Sequence, residues 1–187
     1  MNKNLFEGQL VRLTVENPEA VADLHARWAR NSTFMRLLDD QPTHLWSAKK
    51  IKEWHEKEAD KQKEGRYFSF AIRALADDRL IGFVDIWVNS WSHGDGWVGI
   101  GIGEPEYWGN GYGTDAMQTF LRYAFLELNL HRVSLGVFSY NPRAIRSYEK
   151  AGFVLEGRER QAIHRDGNRQ DALIMGILRE EWFARNM

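Results

Sequence analysis

The residues best suited to chemistry begin at Trp108-Gly109-Asn110-Gly111-Tyr112-Gly113-Thr114, where three glycines fall within five positions. Glycine lets the backbone turn sharply and approach a ligand with no Cβ in the way. An apolar-periodic segment follows directly. The loop therefore opens a helix whose first N–H groups have no intrahelical partner and carry the positive end of its dipole. That combination suits a phosphate group. Just upstream, residues 97–103 alternate Val or Ile with Gly. Glycine weakens a strand interior and often marks a bulge or the close approach of a ligand. Downstream, Asn141-Pro142 caps and opens a short helix. Tyr148 lies seven residues after Asn141, about two turns on, so the two share a face.

An ordered frame must position these groups. Residues 9–15 alternate polar and apolar and read as a strand. Asn17-Pro18 opens a helix to about residue 28, and Ser47 caps another that reaches about residue 63. The second has few apolar positions (Ile51, Trp54) and a Glu53–Lys57 pair, so most of it is a solvated face. Residues 67–73 and 80–88 are strands, and a polar turn over 89–96 leads into the glycine strand. After the glycine loop, Ala116, Met117, Phe120, Leu121, Ala124, Phe125 and Leu128 fall on one helical face. Residues 132–138 form a further strand. Gly152 closes the helix begun at Asn141, with Phe153 placed to pack back on its last turn. Residues 153–164 and 168–178 flank Asp166-Gly167, a hairpin signal. With no repeat, low-complexity stretch or linker, the chain reads as one α/β domain over residues 1–187.

Composition narrows the function. A length of 187 residues suffices for one full core and is short for two. The 43% hydrophobic and 27% charged content is that of an ordinary soluble globular protein. A net charge of −1 offers no basic field to a nucleic acid or an anionic membrane, and no apolar run approaches the length of a membrane span. No nucleic-acid or membrane partner is expected, and a cytoplasmic location is. The absence of cysteine excludes disulfides, thiolate catalysis and a Cys-type zinc site. The six histidines (25, 44, 55, 93, 131, 164) show no pair at metal-ligand spacing, so no metal is expected. Eight tryptophans serve core packing or line a wide aromatic cleft.

The glycine loop, followed by a strand and then by Asn141-Pro142, Tyr148 and Gly152-Phe153 at this spacing, resembles the GNAT superfamily of acetyl-CoA-dependent N-acetyltransferases. The tail from Phe153 to Gly157, with Asp166-Gly167 and Asp171, resembles the branch that acetylates ribosomal-protein N-termini and its polyamine-acetylating relatives. The resemblance covers about residues 8–183. A Rossmann reading fails, because the third glycine comes one residue early and the loop lies past the middle of the chain.

The resemblance implies a GNAT-like mixed, mostly antiparallel central sheet flanked by helices, with splayed central strands. The glycine strand would part from residues 132–138, and the pantetheine arm of acetyl-CoA would fill the gap as an extra strand does. Backbone N–H groups of Gly109, Asn110, Gly111, Tyr112, Gly113 and Thr114 would hold the pyrophosphate. Those around Ile100, Gly101 and Ile102 would face the pantetheine and the developing oxyanion. Asn141 would bond CoA as well as cap its helix, with Arg143 and Arg146 near the phosphates. Tyr148 would protonate the departing CoA thiolate; a phenol with a pKa near 10 holds its proton at neutral pH. Family members commonly have Gln or Arg where this chain has Trp108.

Many relatives place a Glu at the position of Trp97, and no carboxylate stands there. Glu104, Glu106, Asp85 and His93 lie nearby in sequence and read as surface groups rather than bases. Neutralising a lysine-like amine at pH 7 costs ~4.6 kcal/mol, against ~1.4 for an α-amine near pKa 8. The expected acceptor is therefore a peptide N-terminal α-amine or a small-molecule amine. It would be attacked directly, since no Ser/His/Asp constellation suggests an acyl-enzyme. A polyamine acetyltransferase and a non-catalytic acyl-CoA-binding module are the alternatives. Segments 28–46 and 89–96 are expected to shape the acceptor pocket, and a homodimer is left open.

Overall fold

The computed structural model describes residues 4–186, with side chains at all but 18–20, 55 and 58–63. The elements run β1 (Val11–Thr14), α1 (Pro18–Ala29), α2 (Ser32–Leu38), α3 (Ala48–Lys63), β2 (Tyr67–Ala74), β3 (Leu80–Ser90) and β4 (Asp95–Ile102). A 3₁₀ turn (Pro105–Tyr107) leads to α4 (Tyr112–Leu126), β5 (Arg132–Phe138), α5 (Pro142–Ala151), β6 (Val154–Arg165), β7 (Asn168–Leu178) and α6 (Arg179–Asn186). The strands form one seven-stranded sheet in the order β1-β2-β3-β4-β5-β7-β6. Every neighbouring pair is antiparallel except β4–β5, which is parallel.

That parallel pair is a fork. Asp95, Gly96 and Trp97 register with Arg132, Val133 and Ser134, and the pairing stops there although both strands continue. The expected splay is present, with Trp97 at its apex.

The two faces of the sheet are covered by different helices. α4 brings Ala116, Met117, Phe120, Leu121, Ala124 and Phe125 into the main core, all fully buried. Burial of a phenylalanine such as Phe120 is worth about 1.5–3 kcal/mol. α6 adds Trp182 against Phe125, ring centroids 5.6 Å apart. On the opposite face, Trp28 of α1 and Phe34 of α2 cluster with Ala71 and Phe83 of the sheet. None of the described helices is long and apolar enough to cross a membrane.

Several boundaries shift for identifiable reasons. The first strand starts at Val11 rather than residue 9, because the N–H groups of Gln9 and Leu10 bond the Asp115 carboxylate instead of a neighbouring strand. The turn expected over 89–96 shrinks to 91–94. Ser90 pairs with Asp95 and Val88 with Gly96, and the Asn89 amide donates to Asp95 at 2.8 Å. Leu128 lies beyond the end of α4, partly buried. The helices α2 and α6 and the 3₁₀ turn carry no sequence periodicity long enough to announce them. Asn31 caps α2 locally by accepting the Phe34 N–H, and a tertiary contact holds it, Tyr140 donating to its Arg36 carbonyl at 2.8 Å. The hairpin signal is met, with Asp166 and Gly167 both at positive φ (51° and 74°), as a type I′ turn requires.

Candidate active site

The glycine loop enters α4 through Gly111, which caps the helix at φ 91°, a left-handed conformation that disfavours any side chain. Gly109 is also left-handed, at φ 78°. The first N–H groups of α4, at Tyr112, Gly113 and Thr114, have no intrahelical acceptor by geometry. Gly109, Gly111, Gly113 and Thr114 line a cleft of about 230 Å³. The side chains of Asn110 and Tyr112 turn elsewhere. Asn110 donates to the Glu106 carbonyl at 3.1 Å, and the Tyr112 ring meets Tyr107 edge-on at 4.9 Å. For these two, only the backbone is available to a ligand. The one acidic group of the first turn, Asp115, is drawn away by the N–H groups of Gln9, Leu10 and Val11 at 2.8–3.0 Å. The cradle therefore keeps its positive field.

α5 forms the facing wall. Asn141 is buried and caps it, accepting the Ala144 N–H at 3.2 Å. Ser147 meets Thr114 of α4 at 2.8 Å across the bottom of the cleft. Gly152, at φ 111°, ends the helix, and the Phe153 ring packs on Tyr148 at 6.0 Å. Asn141, Arg143, Arg146 and Tyr148 all line the cleft. Burial pushes the Tyr148 phenol up to about 12, so it holds its proton throughout the neutral range. Burial also lowers the Arg143 guanidinium from its usual value, yet an arginine stays charged in water-facing sites. Its Cζ lies 4.0 Å from the centroid of the Trp108 ring, and the Trp108 indole N–H donates to the Ile102 carbonyl at 2.7 Å.

The fork supplies the third wall. Ile100, Gly101 and Ile102 line the cleft beyond the point where β4 leaves β5. Their main chain borders the gap between the strands, where an extended ligand can use backbone groups that have no strand partner on that side.

A second cavity of about 470 Å³ lies under α1 and α2 on the other face of the sheet, and Phe34 and Leu38 line both. It is walled by Trp28, Phe34, Trp46, Tyr67 and Phe83, with Asp85 at its floor. Of the segments expected to shape an acceptor pocket, 28–46 contributes and 89–96 lines neither cavity, because the β3–β4 turn lies at the far end of the strands.

The four nearby candidates for a base separate. Glu104 is buried rather than at the surface, and is held by Arg27, by Arg79 at 2.6 Å and by the Trp28 indole at 2.9 Å. Glu106 is exposed and pairs with Arg79 at 2.7 Å, and His93 is exposed in the β3–β4 turn. Asp85, half-buried, faces the second cavity. Trp97 is 42% exposed, with its ring against Gly136 of β5. Nothing local to Asp85 marks it as the one of the four that faces a cavity; the β2–β3–β4 register brings it there. Among the described residues no group of three or more His, Asp or Glu forms a metal site.

Comparison with known proteins follows the same lines. A family model described as an acetyltransferase (GNAT) domain matches residues 12–154. The chain is similar to an uncharacterised N-acetyltransferase of Bacillus subtilis derived from the SPbeta prophage, at 32% identity over 136 residues, 73% of each protein. It is also similar to the spermidine N(1)-acetyltransferase of Vibrio cholerae, at 34% identity over 111 residues, which cover 59% of this chain and 64% of that one. The crystal structure of a Vibrio cholerae spermidine N-acetyltransferase in complex with CoA and spermine matches with a TM-score of 0.80. The match has 25% identity and covers 93% of this chain and 98% of that one.

Proposed function

This chain belongs to the GNAT acetyltransferase family and is an acetyl-CoA-dependent N-acetyltransferase, and from that premise we propose that it acetylates a peptide N-terminal α-amine or a small-molecule amine by direct attack. The observation that carries the reading is the fork between β4 and β5, which meets the α4 cradle at one end and Tyr148 on its flank. The unit is the single domain of residues 1–187.

The cleft fits the cosubstrate. Its helix N-terminus and glycines suit a pyrophosphate, and Arg143 and Arg146 add positive charge on the same side. Gly109, Asn110, Gly111, Tyr112, Gly113 and Thr114 hold the phosphates through backbone N–H groups. Asn141 orients the pantetheine, and N–H groups at Ile100, Gly101 and Ile102 stabilise negative charge developing on the thioester oxygen. Tyr148 gives its proton to the leaving sulfur. A phenol raised to about 12 is a weaker acid, but desolvation acts in the same direction on a thiolate leaving beside it and makes that thiolate more basic.

The acceptor class rests on Trp97, an indole at the position where the resemblance implies that many family members place a Glu. Without a strong base there, a weakly basic amine is the easier nucleophile. The Vibrio cholerae relatives support a second reading, a polyamine acceptor. That every named relative is an N-acetyltransferase, together with retention of Tyr148, favours turnover over a binding module. The test is thiol release from acetyl-CoA with α-amino peptides, small amines and spermidine near pH 7.5. Release that depends on a peptide or small amine supports the proposal, and strong preference for spermidine replaces it with the second reading.

A further inference from the structure

The chain before β1 is fastened along α4 at two points. Near the start of the helix, the Asp115 carboxylate accepts N–H groups from three successive residues, Gln9 at 3.0 Å to each oxygen, Leu10 at 2.8 Å and Val11 at 3.0 Å. Successive backbone N–H groups that converge in this way are how a loop holds an anion. Seven residues further along the helix, about two turns, the Arg122 guanidinium donates to the carbonyls of Leu5 at 3.2 Å and Glu7 at 2.7 Å.

Close approach at the first point requires a glycine. A Cβ on Gly8 would sit 2.3 Å from an Asp115 carboxylate oxygen and 2.6 Å from the Thr119 hydroxyl. The Leu10 carbonyl accepts the Leu75 N–H at 2.8 Å, which ties the same segment to the chain just past β2.

What the segment touches at this end is the glycine loop. The nearest atom to a Cβ built on Gly111 is Cδ1 of Leu10, at 3.3 Å. Gly111 lines the cleft of about 230 Å³, whereas Leu10 lines neither cavity. Leu10 therefore backs the loop from behind, and Asp115 holds Leu10 by its own N–H. Glycine has the widest backbone freedom of any residue, and Gly111 must keep φ 91° for the N–H groups after it to face a phosphate together.

We infer that Asp115 is a positioning residue for acetyl-CoA: through residues 8–11 it keeps Leu10 against Gly111 and the phosphate cradle in its binding shape. The inference rests on the acetyl-CoA reading of the cleft above. A latch and a charge have opposite signs. A carboxylate in the first turn of α4 opposes a phosphate by Coulomb's law, so its removal would strengthen binding if charge were all that mattered. Loss of the latch does the reverse, because a cradle formed only part of the time binds more weakly by that fraction. The effect falls on binding rather than on the bond-making step, since none of Gly8, Leu10 and Asp115 lines the cleft.

The experiment is titration calorimetry with acetyl-CoA, beside melting curves and thiol release with the α-amino peptides, small amines and spermidine of the acceptor test. It compares the wild type with Asp115→Asn, Asp115→Ala, Gly8→Ala, Leu10→Ala and Arg122→Gln. Asp115→Ala and Gly8→Ala should each weaken acetyl-CoA binding by about tenfold, the result of a cradle formed about a tenth of the time, and raise its KM alike with little change in kcat. Both variants undo one latch, so the two together should cost little more than either alone. Asp115→Asn keeps one acceptor oxygen and should fall between Asp115→Ala and the wild type. Leu10→Ala, at a site 37% exposed, should fold and lose affinity in the same direction; it decides the matter where Asp115→Ala or Gly8→Ala does not fold. Arg122→Gln frees only the far end, and should lower the melting temperature while affinity stays as it is.

Tighter binding in Asp115→Asn would make the carboxylate a charge and not a latch. Wild-type affinity in Leu10→Ala, or an equal loss in Arg122→Gln, would leave the segment a role in stability alone. Each of these results overturns the inference and leaves the acetyl-CoA reading standing. Wild-type protein that fails to bind acetyl-CoA overturns both.

Discussion

The guanidinium of Arg143, on α5, lies over the indole of Trp108, at the start of the glycine loop, with its Cζ 4.0 Å from the ring centroid. Family members commonly carry Gln or Arg at the Trp108 position. Here the ring is pinned by its bond to the Ile102 carbonyl, and a cation from the neighbouring helix stands over its face. The charge that the loop lacks is thus supplied from α5.

Arg143→Ala should therefore weaken acetyl-CoA binding by about tenfold, the scale of one partly solvated charge-assisted contact. Arg143→Lys should recover only part of that, because an ammonium cannot stack on the indole. Titration calorimetry measures both. Equal affinity in all three proteins would place the cosubstrate away from α5.

Acetyl-CoA should raise the melting temperature, since it binds only the folded chain. Gly113→Val tests the cradle better than Gly111→Val does. A Cβ at Gly113 meets nothing closer than 3.7 Å, whereas Gly111 sits at φ 91° and any substitution there is strained. Gly113→Val is expected to fold and lose the thermal response. A response of normal size in that variant moves the phosphate site elsewhere.

Tyr148→Phe should lower kcat by about 10²–10⁴-fold and leave acetyl-CoA affinity near wild type. The hydroxyl acts only as sulfur departs, so its loss belongs to the transition state. The phenyl ring retained in the variant keeps the contact with Phe153. An unchanged kcat would reduce Tyr148 to a packing residue.

The pH–rate profile should rise with an apparent pKa that follows the acceptor amine and moves when the acceptor is changed. No falling limb from Tyr148 should appear below about pH 10, because burial holds its phenol near 12. The stability linkage has the same sign. The neutral phenol is favoured in the fold, so its contribution is complete below the unfolded value near 10 and is lost as pH rises towards 12. A falling limb near pH 9 that disappears in Tyr148→Phe would contradict this.

Glu104 should act on stability and not on chemistry. It is 4% exposed and answers Arg27, Arg79 and the Trp28 indole. Glu104→Gln should cost about 2 kcal/mol, the scale of a charge-assisted hydrogen bond, or a drop in Tm of about 4–8 °C for a chain of this length. Turnover by the folded protein should persist within a few-fold. A loss of kcat by 10²-fold with an unchanged Tm would make Glu104 the base.

Local signals carried most of the frame and part of the site. Asn141-Pro142 and Gly152 bound α5 because capping, proline geometry and the left-handed C-terminal residue act within a few bonds. Asp166-Gly167 set the β6–β7 hairpin for the same reason. The glycine loop before α4 was legible because an anion cradle needs only a short run of backbone. What tertiary structure decided was which side chains share a space. Asp85 and Glu104 look alike in the chain as acidic neighbours of apolar strands. The β2–β3–β4 register turns one towards an open cavity, and the packing of α1 buries the other among two arginines and an indole. The helix α2 is too short to show a period, and contacts from Tyr140 hold it where it lines both cavities. Long-range pairing of this kind depends on residues far apart in the chain, and no local pattern encodes it.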